Sequence, residues 1–203
     1  MNDITSENTG LIGYFGYGSL VNRDTLRTDI VAAYPARVSG WRRVWLPRPA
    51  NAPKFAGVGP AVLTVERAEG HEIDGMLVID RVENIASVDE RENIYRRVQL
   101  GSAELTFYGD VPPSGVPLHI YERNYEPEVD MPPSPILRSY LDAVFQGYFR
   151  TFGEDGLRRF VDETSGFGLP IHEDRLSPAY PRAIELASRE KQLFDMISTG
   201  LDN

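Results

Sequence analysis

The sequence changes its hydrophobic period once, at Pro132-Pro133-Ser134-Pro135. Before this point apolar residues come in short alternating or continuous runs bounded by glycine and proline, the pattern of β-strands. After it, Tyr140, Leu141, Val144, Phe145, Tyr148, Phe149 and Phe152 recur three and four apart, one face of an α-helix. Such a chain is α+β, with its strands and helices segregated, in contrast to a regular βαβ alternation.

Within the first part, 11–16 reads as a strand running into a glycine-containing turn at 17–20. Asn22-Arg23-Asp24 is placed to cap a short helix reaching about Thr28. Residues 36–46 predict a strand bulged at Gly40, and Pro47 to Pro60 a surface loop. Two strands follow, at 61–65 and 73–79. Val82, Ile85 and Val88, three apart, predict a short helix within 81–91. Tyr95, Val98 and Leu100 with Leu105 and Phe107 read as a strand pair or one bent strand, and 118–121 as a further strand. Beyond the prolines, Gly153 stops the first helix; a second spans 155–163 and a third 180–197. Short strands joined by short helices predict a small barrel or a strongly curled mixed sheet.

Length and charge narrow the function. At 203 residues the chain is one domain with a loose N-terminus at 1–10. A net charge of −9 repels a phosphate backbone, so nucleic acid is not expected as a partner. The polar start and the lack of an apolar run of ~20 residues lead us to expect no membrane span and a cytoplasmic protein. There is no cysteine, which excludes disulfides, thiolate catalysis and cysteine-ligated metals. Basic residues come in pairs, Arg42-Arg43, Arg96-Arg97 and Arg158-Arg159. One inward-pointing arginine could still hold a substrate carboxylate, since its planar fork fits one.

Two segments could carry chemistry. In Gly16-Tyr17-Gly18-Ser19-Leu20 the glycines permit positive φ and close ligand approach, and successive N–H groups make an anion-binding concavity. The segment fails the dinucleotide fingerprint, because Val21 stands where a third glycine belongs. An ordinary tight turn is the alternative reading. In Asp89-Glu90-Arg91-Glu92, acids at a helix C-terminus oppose the macrodipole, a local cost that suggests one is wanted elsewhere. A solvated charged turn is the alternative there. The histidines at 71, 119 and 172 form no ligand pattern, and His172-Glu173-Asp174 is too compressed to converge on one ion, so no metal is expected.

Taken together, these segments resemble a known family. Phe15-Gly16-Tyr17-Gly18-Ser19-Leu20 is similar to the opening motif of the γ-glutamylcyclotransferase superfamily, most closely its glutathione-specific, cation-transport-regulator-like branch. Asp89-Glu90-Arg91-Glu92 resembles the acidic motif whose last glutamate is catalytic. Pro132-Pro133-Ser134-Pro135 before a tyrosine-bearing helix is similar to the family's Pro-Ser element. The resemblance covers about 11–160. It implies a small mixed β-barrel with flanking helices and a cavity at its mouth, formed by residues 11–165. Residues 166–203 are then an α-rich helical extension packed on that domain.

The resemblance also implies a reaction. The α-amine of a γ-glutamyl group attacks its own γ-carbonyl, closing 5-oxoproline and releasing the attached amine, with no cofactor required. Glu92 would move the protons. Tyr17, Gly18, Ser19 and Leu20 would bind the γ-glutamyl group through backbone N–H groups, and Tyr125 and Tyr140 would offer pocket hydroxyls. The expected partner is a small γ-glutamyl compound; the oligomeric state is open, a homodimer included. Leu20 replaces the asparagine of the branch acting on γ-glutamyl amino acids. Ile94 precedes Tyr95, where the glutathione-specific branch carries a nearby glycine. Two other functions stay open: a catalytically idle binding protein of the same fold, and a γ-glutamylamine cyclotransferase.

Overall fold

A computed structural model of the chain describes residues 10–26, 29–48, 54, 57–125 and 134–201. The loose terminus expected at 1–10 (all but Gly10), much of the Pro47–Pro60 loop and the Pro132-Pro133 pair lie outside the described residues. Asn22 caps as expected, but the helix expected to reach about Thr28 is a single 3-10 turn, Arg23–Thr25, and the chain is already extended at Leu26. The apolar run after Gly10 is β1 (Leu11–Gly16). Two long strands, β2 (Ala32–Leu46) and β3 (Val62–Arg81), pair antiparallel along their lengths. The bulge falls where expected, at Gly40 (φ 79°). Ser39 faces Glu72 while Trp41 faces Arg67, so residues 68–71 of β3 stand opposite Gly40 alone. The two strands expected at 61–65 and 73–79 are therefore halves of one strand, joined through this irregularity.

The expected short helix is α1 (Ile85–Arg91), which buries Val88. Then come β4 (Tyr95–Leu100), β5 (Leu105–Phe107) and β6 (Leu118–Arg123). β4 and β5 are neither a pair nor one bent strand: β4 pairs with β6 and β5 with β2, at opposite ends of the sheet. The strand order is β4-β6-β1-β3-β2-β5, with β1 parallel to β6 and antiparallel to β3. The end strands do not pair, so among the described residues the sheet is an open mixed sheet and not a closed barrel. The first half of β3 is bonded to both β6 and β4. Arg123 N–H donates to Thr64 Oγ1 (2.9 Å), and the Tyr95 hydroxyl to Leu63 O (2.8 Å).

β7 (Ile136–Leu137) leads into α2 (Arg138–Asp162). Gly153 (φ 71°) breaks α2 into the two helices expected from sequence. The chain closes with β8 (Thr164–Ser165) beside β2, β9 (Ile171–His172) beside β7, and α3 (Ser188–Thr199). α3 begins eight residues later than expected. Tyr180 is spent on packing edge-on against Tyr140 (5.0 Å between ring centres), and Glu190 starts the helix by accepting from Ala187 N–H (2.9 Å). Leu141, Val144, Phe145 and Tyr148 of α2 are fully buried against the sheet, and Phe145 meets Phe194 of α3 at 5.6 Å. Burying each such side chain contributes about 1.5–3 kcal/mol. No helix among the described residues is long and apolar enough to cross a membrane.

Candidate active site

Glu92 is placed by backbone bonds. It ends α1, its N–H donating to Val88 O (2.9 Å), and its carbonyl accepts from Tyr95 N–H (2.8 Å) as β4 begins. This tight turn directs the carboxylate inward, leaving the side chain 15% exposed. Of the neighbouring acids, Asp89 accepts from the Tyr121 hydroxyl (2.6 Å), and Glu90 is exposed at the edge of the cavity that Glu92 faces.

A cavity of about 480 Å³ opens in front of Glu92. It adjoins a recess of about 30 Å³, and the two share Ser19, Leu20, Leu63, Glu92, Tyr95 and Tyr140. Tyr17 and Gly18 line the recess. The 17–20 turn and Glu92, over 70 residues apart in sequence, thus face one space.

α2 braces that turn. Asn22 Nδ2 donates to Ala143 O (2.9 Å) and Gln146 Oε1 (3.0 Å), and the Tyr148 hydroxyl to Tyr17 O (2.9 Å). The Tyr17 hydroxyl donates to Tyr121 O (2.6 Å). Neither Gly16 nor Gly18 has a positive φ, contrary to the reason expected for them. Gly18 supplies space instead: a Cβ there would lie 2.8 Å from the Tyr140 hydroxyl oxygen and 3.2 Å from Leu63 Cδ2. Tyr125 is not part of the cavity lining; its hydroxyl donates to Pro47 O (3.0 Å).

Electrostatics tune Glu92 in two directions. Burial raises its pKa above the ordinary value, while the charges of Arg91 and Arg182 pull it down without cancelling the rise. Arg91 Nε lies 3.0 Å from Glu92 Oε1. Arg91 also donates to Ser19 Oγ (3.2 Å) and Thr25 O (3.2 Å), tying the acidic segment to the turn. Burial, with the Glu92 charge second for Tyr17 and the neighbouring tyrosines ahead of it for Tyr95 and Tyr140, pushes all three phenols upward, so they stay neutral donors.

Sequence reasoning did not find Arg48, Arg91, Tyr95, Tyr180 and Arg182 as lining residues. Arg91 was within reach, inside the acidic motif; the others carry no local signal. The inward arginine of the basic pairs is Arg43, but Asp74 O, Thr164 Oγ1 and the Tyr148 hydroxyl consume it within the core. Among the described residues, no three histidine, aspartate or glutamate side chains cluster to hold a metal. What the arrangement offers is a desolvated carboxylate able to exchange a proton, facing a backbone turn and neutral hydroxyls.

No protein-family model matches the sequence, and no curated protein is significantly similar to it. Solved structures are. A γ-glutamyl cyclotransferase superposes with a TM-score of 0.56 at 13% identity, covering 92% of this chain and 99% of that one. An uncharacterized protein from Homo sapiens superposes with a TM-score of 0.53, also at 13% identity, covering 92% and 99%. The chain has the γ-glutamylcyclotransferase-like fold.

Proposed function

We propose that this protein is a γ-glutamylcyclotransferase that releases 5-oxoproline from a small γ-glutamyl compound. The observation that carries this is the position of Glu92, a carboxylate with a raised pKa in the wall shared by the cavity and the recess, facing the 17–20 turn. With the γ-glutamyl group seated where the recess opens into the cavity, Glu92 takes a proton from the α-ammonium. The freed amine nitrogen attacks the γ-carbonyl carbon, forming the ring C–N bond. Backbone N–H groups of Tyr17 to Leu20 receive the α-carboxylate or the developing oxyanion. Glu92 then returns its proton to the leaving nitrogen as the original C–N bond breaks, and the ring nitrogen gives up its second proton to the released amine, leaving a neutral lactam and an ammonium. Ring closure is intramolecular, so holding a near-attack geometry supplies much of the rate.

The test is a panel of glutathione, γ-glutamyl amino acids and γ-glutamyl-ε-lysine assayed for 5-oxoproline. Glu92→Gln, nearly isosteric but unable to accept the proton, is expected to lose roughly 100- to 10,000-fold in kcat. Full activity in that variant would sink the mechanism. No turnover of any member by the wild type would favour a binding protein of the same fold.

A further inference from the structure

Arg43 is fully buried, yet no step of the reaction above uses it. A buried cation without a close carboxylate is costly. The ion pair of Arg43 with Glu163 is long, 3.4 Å, and Arg37 holds the same carboxylate at 2.6 Å. The other hydrogen bonds of Arg43 go to neutral oxygens: Thr164 Oγ1, Asp74 O and the Tyr148 hydroxyl. The rings of Phe160 and Tyr148 lie 4.5 and 5.1 Å from its guanidinium carbon. Its charge is thus passed into neighbouring dipoles more than it is neutralised beside it.

Tyr148 hands that polarisation on. Its hydroxyl oxygen accepts from Arg43 Nη1, so its single proton is left to donate. Two carbonyl oxygens are in reach, Tyr17 O (2.9 Å) and Asp74 O (2.7 Å). Asp74 O already accepts from Arg43 Nη1 (2.9 Å), which leaves the proton for Tyr17 O. Burial raises the Tyr148 pKa, with the Arg43 charge pulling the other way, and the phenol stays a neutral donor. Tyr17 O belongs to the Tyr17–Gly18 peptide, and in a trans peptide C=O and N–H point in opposite directions. With the carbonyl turned to Tyr148 in the core, the Gly18 N–H faces away from it, and Gly18 lines the recess. Hydrogen bonds in such a chain strengthen one another.

We propose that Arg43 and Tyr148 are positioning residues for the turn. Through the Tyr148 hydroxyl and the Tyr17–Gly18 peptide, the guanidinium turns the Gly18 N–H toward the recess and strengthens it as a donor to an anionic centre of the substrate. This rests on the cyclotransferase reading for the identity of that anion, the α-carboxylate or the developing oxyanion. Neither side chain touches the substrate. Because the cation is sealed in the core, solvent ions screen it far less than they would a surface charge.

The experiment places fluorotyrosines at 148, which change the acidity of the phenol with little change of shape. Turnover of the γ-glutamyl compound used best is followed where the phenol stays protonated. kcat/KM is expected to rise with phenol acidity and to fall roughly 10-fold in Tyr148→Phe. Arg43→Lys should lose part of the activity alone and nothing further in the Tyr148→Phe background, where the relay is already cut. A side chain that only fills space would give a flat fluorotyrosine series. That result, or full activity in Tyr148→Phe, overturns the inference. The Gly18 amide proton resonance reads the same relay without substrate, moving downfield with phenol acidity and upfield in Tyr148→Phe. If no γ-glutamyl compound yields 5-oxoproline, the cyclotransferase reading falls and this resonance decides the relay. A graded shift supports it; an unmoved resonance overturns it.

Discussion

Glu92 was legible in the sequence as a residue type in a motif, whereas its basicity was not, because burial belongs to neighbours distant in the chain. Its pKa is raised in the folded protein, so the folded state holds the proton more tightly than the unfolded chain. The stability that Glu92 contributes is therefore fully present below the ordinary glutamate pKa, roughly 4.3, and is lost as pH rises through the raised value. Glu92→Gln removes this dependence. Melting curves should show the variant more stable than wild type above that window and indistinguishable from it at lower pH. Gly18 teaches a second lesson at this scale. The sequence reading credited it with backbone freedom, but it serves as room for the Tyr140 hydroxyl. Gly18→Ala should therefore cost about 1–3 kcal/mol in denaturant melts and lower activity. In Gly18→Ala/Tyr140→Phe the clashing oxygen is gone, so the stability losses should add to less than their sum.

At the scale of elements, the periodic segments were the readable ones. β1, the Gly40 bulge, α1 and the Gly153 break all stand where local pattern put them, because bulges and breaks need particular backbone conformations that glycine reports. Partner choice was not readable. The strand periods of β4 and β5 are alike, yet they lie at opposite ends of the sheet. α3 was misplaced at its start because Tyr180 satisfies a tertiary contact that outweighs helical continuation. One contact between elements matters for the site. At Gly147, α2 approaches the 17–20 turn so closely that a Cβ would lie 2.7 Å from Asn22 N, a backbone atom that cannot swing aside. Gly147→Ala should destabilise the fold by about 1–3 kcal/mol and displace the turn. Where γ-glutamyl turnover is measured, kcat should fall with it.

For the whole molecule, one acid of the C-terminal segment caps the long helix and holds the start of the Tyr180–Arg182 wall of the cavity. Leu137, at the N-cap of α2, gives no side-chain cap, and Asp174 does so from a distance. It accepts from Ser139 N–H (2.8 Å), Ser139 Oγ–H (2.5 Å) and Ala179 N–H (2.9 Å). Asp174→Ala should cost about 2–4 kcal/mol in chemical denaturation, since a lost cap leaves several buried donors unpaired. By releasing the Tyr180–Arg182 wall it should also raise KM more than it lowers kcat, while Asp174→Asn recovers part of both. By itself, the sequence determined the strand-then-helix order, the turn at 17–20 and the acidic segment ending at Glu92, because period and glycine placement act over a few residues. Only the tertiary structure decided that the sheet stays open, that Tyr125 stands outside the cavity and that Arg182 stands inside it. Those outcomes depend on which surfaces exclude water from one another, and no stretch of chain carries that information alone.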